Sequence, residues 1–401
     1  MDAFFILGTQ RDIARAEIQA VVGDVTTVVD ADDVLIVGGF SGNLSAQQSR
    51  LGGVIKTGVI HASVADQDEL VLVLSSLITT VRPTDDAKMK FGISVYSGGH
   101  RGKLTALRMQ AERIGLRVKN NLKQQGRSSR LVTSKIPVLS SVIVTKQKLL
   151  SGGIEFCLFP QAEGILIGIT ESVQDFEEWG ARDYGRPERH TKRGMLPPKL
   201  ARTMINLAGG NPDKDTLLDP FCGVGTVLTE AMALGFKKLI GSDIDPIASE
   251  ATRVNVAWEA ERTGVLVEPR VLQTKAEALG TFLAPGSVDL IVTEVFLGKP
   301  RTGNEDRVAL EKQLDQLVEM YTESFRAFTS ILTDGARVVI ALPAYVVDGS
   351  VVEPRFVERA QLFGFEQDVF KGVETTRFGA LRYGREDQLV LRDIYRFVYK
   401  K

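Results

Sequence analysis

The sequence contains little cysteine and histidine, and this scarcity excludes several classes of protein. Its 401 residues include two cysteines, Cys157 and Cys222, and three histidines, His61, His100 and His190. The cysteines lie far apart in no metal-ligand spacing, so neither a disulfide scaffold nor a structural zinc site is expected. The histidines are scattered, and the sequence therefore predicts no metal.

Long apolar runs are also missing. No stretch approaches the roughly 20 apolar residues that span a bilayer. The N-terminal residues, MDAFFILGTQRD, have a short apolar run and no basic segment before it, so no signal peptide is expected. With 44% hydrophobic and 25% charged residues, the composition is typical of a globular protein. We therefore expect a cytoplasmic protein without a membrane partner.

Acidic residues are nearly absent from one segment. Between Gly98 and Lys148 there are twelve Lys and Arg residues and a single acid, Glu112, although the net charge of the whole chain is −1. This asymmetry indicates a polyanionic partner such as a nucleic acid, and the alternative is a solvated basic helix. The candidate phosphate contacts in this segment are Arg101, Lys103, Arg113, Arg117, Lys119, Lys123, Arg127, Arg130 and Lys135.

Hydrophobic periodicity divides the chain into three parts and a connector. Residues 1–82 predict a ferredoxin-like α/β unit. Residues 83–178 predict an α+β unit with a long basic helix that ends near Gly126, followed by short strands that include SSVIVTK. Residues 179–197 have no periodicity and predict a connector. In residues 198–401 strands alternate with helices, which predicts a doubly wound, mostly parallel sheet.

One turn in the last part predicts a ligand site. The string LLDPFCGVGT is a buried strand that ends in Asp219, followed by a glycine turn and a helix. Ligands of open α/β sheets bind at the carboxyl ends of the strands. Gly223 and Gly225 let the backbone approach a ligand closely, and the helix N-terminus supplies free amides.

The turn discriminates among three cofactors. A phosphate-binding P-loop requires a lysine that is missing here, and a dinucleotide fingerprint requires a third glycine that is also missing. S-adenosylmethionine remains, and its ammonium suits Asp219. Asp243, 18 residues after Gly225, can bind the ribose hydroxyls, with Ile244 against adenine. The alternative is that Asp219 and Asp243 only cap helices.

These motifs resemble a known family. The strings DPFCGVGT, GSDIDP and PPKLARTMINLA are similar to those of the THUMP-containing class I RNA methyltransferases, above all the tRNA guanosine-10 N2-methyltransferases. The strings RLGGVIKTG, GIEFCLFP and RDYGRPERH extend the resemblance over most of the chain. It implies a seven-stranded class I methyltransferase fold for residues 198–401 and a THUMP-like RNA-binding domain for residues 83–178.

The resemblance also implies a cofactor site and a tRNA partner. In eukaryotic relatives a small activator subunit assists the enzyme, and such a subunit is a possible partner here. The residues expected to bind S-adenosylmethionine are Asp219, Pro220, Phe221, Cys222, Gly223, Gly225, Thr226, Asp243, Ile244 and Glu277. Glu277 is included because Lys275 stands where family members often carry an acid near adenine.

The sequence departs from the family after its fourth strand. Family members carry Asp-Pro-Pro-Tyr there, in which a carboxylate and a carbonyl accept from the guanine amine and the aromatic ring stacks on the base. This chain carries Glu294, Val295, Phe296 and Leu297. We expect Glu294 to replace the aspartate as acceptor and Phe296 to stack, which makes these two the candidate catalytic residues. The alternative is an inactive site.

Three functions remain open at this stage. The first is methylation of the exocyclic amine of a guanine in tRNA. The second is tRNA binding without turnover, and the third is methylation of an adenine amine in DNA or rRNA. The connector adds candidate RNA contacts at Arg186, Arg189 and His190, with a solvated linker as the alternative.

Overall fold

The structure, a computed structural model, describes residues 1–23, 25–82, 88–189, 195–385 and 387–401. Contacts between residues divide the chain into two units. One comprises residues 1–15 and 22–178, and the other residues 16–21 and 179–401. His190, one of the candidate RNA contacts, lies outside the described residues, as do residues 83–87 beside the predicted boundary at 82.

The first part of the chain is built on strands. Along the chain its elements are β1 (Ala3–Leu7), α1 (Arg11–Val22), β2 (Thr26–Ala31), β3 (Val34–Gly38), α2 (Leu44–Arg50), β4 (Val54–Val64), α3 (Gln67–Val81), β5 (Met89–Val95), α4 (Arg101–Gln124), β6 (Ser129–Val132), α5 (Ser141–Lys146), β7 (Gly153–Gln161) and β8 (Gly164–Val173).

These strands form one eight-stranded sheet in the order β2-β3-β1-β4-β8-β7-β5-β6. The predicted unit 1–82 contributes β1 to β4, and the predicted domain 83–178 contributes β5 to β8. Antiparallel pairing of β4 with β8, from Lys56 opposite Val173 to Val64 opposite Ile165, joins the two halves. The predicted division at residue 82 is therefore not a break between sheets.

Helix α4 is the predicted basic helix, and its sequence explains its orientation. The apolar residues Leu107, Ala111, Ile114, Val118 and Leu122 recur at spacings of three and four and are buried in the core. The basic residues occupy the remaining positions. The helix ends just before Gly126, whose φ of 79° suits a glycine at a helix C-terminus.

The segment SSVIVTK, predicted as a strand, is the helix α5, so that prediction was wrong. The Ser140 hydroxyl accepts from the amide of Ile143 at 3.3 Å and caps the helix. Val144 is buried in a small cluster with Leu139 and Leu149. The run of β-branched residues favoured a strand, but the serine cap and the packing of one face determine a helix.

The second part of the chain alternates strands and helices, as predicted. Its elements are α6 (Phe176–Gly180), a π-helical turn (Ala181–Gly185), α7 (Pro198–Ala208), β9 (Thr216–Asp219), α8 (Thr226–Ala233), β10 (Lys238–Asp243), α9 (Pro246–Thr263), β11 (Arg270–Gln273), a 3₁₀-helix (Ala276–Thr281), β12 (Val288–Glu294), α10 (Arg307–Phe328), β13 (Leu332–Val347), β14 (Ser350–Val352), α11 (Val357–Gln361), β15 (Phe365–Gln367), β16 (Leu381–Tyr383) and β17 (Val390–Tyr399).

The main path of the second sheet has seven strands, in the order β11-β10-β9-β12-β13-β17-β15. The first five of these strands are parallel, and β17 and β15 are antiparallel to their neighbours. Strands β14 and β16 add short pairings at β13 and β17. The order reverses between β9 and β12, and this switch point is where such sheets bind ligands.

Candidate functional site

Three carboxylates follow the strands around the switch point. Asp219 ends β9, Asp243 ends β10 and Glu294 ends β12. Because these strands are parallel neighbours, their carboxyl ends lie at one edge of the sheet. The structure thus places three of the predicted site residues at the same crevice.

Asp219 is the most buried of the three, with 2% exposure. Its Oδ1 accepts from the Thr293 hydroxyl at 2.6 Å and from the Phe221 amide at 3.2 Å. Burial, together with the nearby charges of Asp243 and Glu294, raises the pKa of Asp219 to about 7, although the two hydrogen bonds act in the opposite direction. A buried carboxylate of this kind is well suited to hold a cationic group.

Residues 219–226, the glycine turn, leave the strand and enter α8. The Cys222 amide donates to the Ser242 carbonyl at 2.9 Å, and the Ser242 hydroxyl donates to the Pro220 carbonyl at 3.2 Å. Helix α8 begins after Gly225 without a side-chain cap, which leaves its first amides available to a ligand. Burial raises the pKa of the Cys222 thiol, which disfavours the thiolate that a nucleophilic cysteine requires.

Gly225 is required by the geometry of the turn. Its φ is 82°, and a Cβ there would lie 3.0 Å from Cγ2 of Thr252 on α9. The Thr252 hydroxyl also donates to the Gly223 carbonyl at 2.8 Å. Gly223 itself has φ of 53°, and within the described residues no atom lies within 4 Å of its Cβ position. The turn is therefore tight on the helix side and open at Gly223.

Asp243 stabilises the glycine turn through hydrogen bonds to its carboxylate. Its Oδ2 accepts from the Gly223 amide at 3.0 Å and its Oδ1 from the Asp245 amide at 2.9 Å. Each carboxylate oxygen has a further lone pair for a ligand hydroxyl. Asp245 caps α9 by accepting from Ile247, so Asp243 does not serve as the helix cap. Ile244, next to it, is 60% exposed.

Glu277 lies on the 3₁₀-helix that follows β11. It is exposed, and its Oε1 accepts from the Ser324 hydroxyl on α10 at 3.1 Å. Lys275 directly precedes that helix and is also exposed. The Thr274 amide donates to the Asp243 carbonyl at 3.0 Å, which ties this segment to the end of β10.

Glu294 has a partner that the sequence did not reveal. Oε1 of Glu294 accepts from Nε of Arg392 on β17, 98 residues further along the chain. Both side chains are mostly buried, with 14% and 8% exposure. Because 98 residues separate the two side chains along the sequence, the sequence alone does not indicate that they pair.

Residues 294–305, the Glu294 loop, are held by hydroxyl groups from other elements. Tyr321 on α10 donates to the Phe296 carbonyl at 2.5 Å, and Tyr345 on β13 donates to the Leu297 carbonyl at 2.9 Å. Arg301 donates to the Val346 and Leu389 carbonyls at 2.7 and 2.9 Å. These bonds fix a loop in which the Phe296 side chain is 56% exposed.

The predicted connector is a folded part of this unit. Trp179 lies against the guanidinium groups of Arg182 and Arg202, at 4.6 and 4.8 Å from the ring centroid. Both arginines pair with Glu230, which is fully buried, at 2.8 and 2.7 Å. Burial raises the pKa of Glu230, and the two cations act in the opposite direction. Residues 179–185 are therefore helical where the sequence predicted an irregular segment, and the role of residues 179–197 as a connector stays a prediction.

One connector residue, Arg186, contacts the glycine turn directly, and another, Glu188, is linked to it through Asn255. Arg186 donates to the Thr226 hydroxyl at 2.6 Å and is only 5% exposed. Asn255 on α9 donates to the carbonyls of Val224 and Glu188, at 2.8 and 3.0 Å. Arg186 was predicted as an RNA contact, but it is buried against the turn and not exposed to RNA. Arg189 is exposed.

The basic segment forms a mostly exposed surface, in which Arg127 is buried, Lys103 is half-buried and Arg117 is exposed but ion-paired. Arg127 is 7% exposed and donates to the carbonyls of Ile78 and Arg82, so it caps the C-terminal end of α3. The sequence predicted it as an RNA contact, and its burial contradicts that prediction. Lys103 donates to the Ala162 carbonyl, and Arg117 pairs with Asp68 at 2.6 Å. The other predicted residues are exposed: Arg101, Arg113, Lys119, Lys123, Arg130 and Lys135.

Two surface cavities lie away from this crevice. One of about 860 Å³ lies between α9 and β11, beside Arg253 and Leu266, and one of about 420 Å³ lies beside Lys238 and Ser287. Across the described ranges no group of three or more acidic, histidine or cysteine side chains is placed to hold a metal ion. No helix in those ranges is long and apolar enough to cross a membrane.

The second sheet, with its crevice at the switch point, has a Rossmann-like methyltransferase fold, as the sequence predicted. Residues 186–363 match the family model described as UPF0020: RMKL-like, methyltransferase domain. The crystal structure of TrmN from Thermus thermophilus superimposes with a TM-score of 0.57 at 16% identity over all of both chains. A predicted N6-adenine-specific DNA methylase from Listeria monocytogenes gives 0.50 at 12% identity, over all of this chain and 96% of that one. At these identities the likeness establishes the fold alone.

Curated relatives share more sequence. The tRNA (guanine(10)-N2)-dimethyltransferase of Methanothermobacter thermautotrophicus is 34% identical over 176 residues, which are 44% of this chain and 46% of that protein. The protein with the same description from Methanocaldococcus jannaschii is 38% identical over 165 residues, which are 40% of this chain and 46% of that one. Each match thus spans less than half of the relative's length.

Proposed function

We propose that the protein transfers a methyl group from S-adenosylmethionine to the exocyclic amine of a guanine in tRNA. One observation carries the proposal: the carboxylates of Asp219 and Glu294 end adjacent strands at the switch point of a methyltransferase fold. The sequence similarity to tRNA (guanine(10)-N2)-dimethyltransferases supports tRNA as the substrate.

The residues of the glycine turn fit the cofactor. The buried Asp219 carboxylate matches the ammonium of its amino-acid portion, and the open backbone at Gly223 permits close approach. Asp243 keeps lone pairs for the ribose hydroxyls, and the exposed Ile244 provides an apolar surface for adenine. Pro220, Phe221, Cys222 and Thr226 complete the turn, and Glu277 flanks it. When bound, the cofactor supplies an electrophilic methyl group on a sulfonium.

Glu294 and Phe296 are proposed to hold the acceptor base. A guanine amine is a weak nucleophile because its lone pair is delocalised into the ring. The Glu294 carboxylate would accept an N–H bond of that amine, which localises the lone pair on nitrogen. It would take the proton that the amine loses when the C–N bond replaces the methyl C–S bond, whose electron pair stays on sulfur. The exposed Phe296 ring stacks on the base. Base extrusion costs a few kcal/mol.

The exposed basic surface is proposed to bind the phosphates of tRNA. It comprises six of the predicted residues: Arg101, Arg113, Lys119, Lys123, Arg130 and Lys135. RNA helices are recognised largely by shape and backbone, because their deep major groove hides the base edges. The THUMP-like character of this region and an activator subunit stay predictions.

The test is tritium transfer from S-adenosylmethionine to unmodified tRNA, followed by nucleoside mass spectrometry. We expect an N2-methylated guanosine, and Glu294→Ala should abolish transfer while S-adenosylhomocysteine still binds. Glu311→Ala, an exposed glutamate on α10, serves as the control. No transfer by wild type together with tight tRNA binding would indicate a binding protein, and methyladenosine in the product would indicate the adenine reaction.

Charge reversal tests the basic surface. Lys119→Glu with Lys123→Glu should weaken tRNA binding and reduce the slope of affinity against salt by about one for each lost phosphate contact. Lys371→Glu, an exposed lysine of the other unit, is the control. Unchanged affinity and slope in the double variant would remove this surface from the proposal.

A further inference from the structure

Arg392 reaches Glu294 across an intervening strand. Arg392 lies opposite Pro343 in the pairing of β17 with β13, and Glu294 lies opposite Ala341 in the pairing of β12 with β13. The two side chains therefore come from strands that are not neighbours, and they meet at the carboxyl edge where β12 ends. The ion pair places a guanidinium directly beside the proposed acceptor carboxylate.

The pair leaves hydrogen-bonding groups unused. Nε of Arg392 donates to Oε1 of Glu294, and within the described part of the chain no other hydrogen bond of either side chain is seen. Oε2 of Glu294 and the terminal nitrogens of Arg392 are thus available. The Tyr383 ring, the cross-strand neighbour of Arg392 on β16, lies 5.8 Å from its guanidinium carbon.

A second arginine of the same hairpin shows a different arrangement. Arg382 binds both oxygens of Asp393, at 2.8 and 2.9 Å, and also Glu353 at 2.6 Å. That pair is bidentate and satisfied within the protein, as is typical of a structural ion pair. The single contact of Arg392 is typical instead of a residue that retains donors for a ligand.

The unused acceptor of Glu294 and the unused donors of Arg392 match the Watson–Crick edge of guanine. The Watson–Crick edge of guanine presents two N–H donors, from N1 and the N2 amine, beside the O6 acceptor. That of adenine presents the N6 amine beside the N1 acceptor. We propose that Arg392 is a specificity-determining residue that donates to guanine O6 while Glu294 accepts from the N–H groups. This inference rests on the function proposed above, and it names the residue that makes the reaction select guanine over adenine.

The test separates base recognition from structural support. The substrates are tRNA carrying guanosine, or 6-thioguanosine, at the position that wild type methylates. The thio base keeps both N–H donors and replaces O6 by a weak acceptor. We expect kcat/KM of wild type to fall about tenfold on the thio substrate, the scale of one hydrogen bond to a charged group. Arg392→Met should be slower on guanosine, with a ratio between the two substrates near one.

Controls keep the outcomes distinct. Arg392→Lys, which retains a donor, should recover part of the preference, and binding of S-adenosylhomocysteine verifies that each variant is folded. A wild-type ratio near one, or equal ratios in wild type and Arg392→Met, would overturn the role of Arg392 while leaving methyl transfer intact. Absence of transfer by wild type to the guanosine substrate would instead overturn the proposed function, and the inference with it.

Discussion

The glycine turn and the Glu294 loop lie at the same crevice but are held in different ways. The turn is held mostly by Ser242, Asp243 and Thr252, whose hydrogen bonds to it span 20 to 29 residues, and by Thr293, which lies 74 residues after Asp219. The loop is fixed by Tyr345 and Arg392, which follow it by 48 and 98 residues. The next strand and helix therefore determine most of the proposed donor site, and later strands determine the proposed acceptor site. Apart from the charge of Glu294, which raises the pKa of Asp219, the two sites should respond independently to substitution.

The largest expected effect tests that independence directly. Glu294→Gln keeps the size of the side chain but removes its charge and leaves Arg392 without a carboxylate. We expect methyl transfer to fall by about 10²–10³, the usual cost of losing one preorganised electrostatic contact, with affinity for S-adenosylhomocysteine within twofold of wild type. Rate and affinity are measured on the same preparation. A parallel loss of both would show that the two regions are coupled.

A change of pH should act on the turn through the carboxyl group of Asp219. Asp219, with its pKa raised to about 7, is ionised at pH 8 and mostly neutral at pH 6. Because the cofactor ammonium requires the ionised form, affinity for S-adenosylhomocysteine should fall about tenfold from pH 8 to pH 6. Asp219→Asn should bind weakly and without this pH dependence, and Asp213→Asn, on the surface, should behave as wild type. Calorimetry across pH measures both.

The same pKa predicts an opposite trend in stability. The carboxyl group of Asp219 binds its proton more tightly in the folded chain than in the unfolded chain. Its contribution to the free energy of unfolding is complete below about pH 4 and is lost as pH rises through about 7. The unliganded protein should therefore lose part of its stability between pH 5 and 8, and Asp219→Asn should lose less. Chemical denaturation across pH measures the difference.

The glycines that flank α8 and α9 allow the cost of steric crowding in the turn to be measured. Gly225 and Gly264 both have positive φ, of 82° and 69°, but only at Gly225 would a Cβ meet a neighbour, Thr252. Alanine at Gly264 should cost about 1 kcal/mol of conformational strain. Alanine at Gly225 should cost about 2 kcal/mol and also weaken binding of S-adenosylhomocysteine. Equal thermal shifts in the two variants would contradict the crowding at Thr252.

The smallest effect concerns the supports of the loop. Tyr321→Phe removes only the hydroxyl that donates to the Phe296 carbonyl. One neutral hydrogen bond is worth about 1 kcal/mol, so methyl transfer should fall about fivefold without loss of S-adenosylhomocysteine affinity. Tyr184→Phe, an exposed tyrosine, is the control. A change in cofactor affinity would mean that Tyr321 acts on the turn.

The sequence predicted the fold and the turn because their determinants are local. Alternating strands and helices indicate a parallel sheet, and Asp219 with its glycines follows one strand directly. The pair of Glu294 with Arg392 could not be predicted, because the register of β12, β13 and β17 brings them together only after folding. Arg127 and Arg186 were misassigned because charge counts do not reveal burial.

The buried carboxylate of Glu230 also determines where the chain can be divided. One of its two cationic partners, Arg182, and the aromatic ring beside it, Trp179, precede the segment 186–363 that matches the family model. A fragment trimmed to that segment would bury the carboxylate with Arg202 as its remaining partner, and removing one member of a buried pair costs about 3–5 kcal/mol. A fragment that contains the second unit by itself should therefore begin upstream of Trp179.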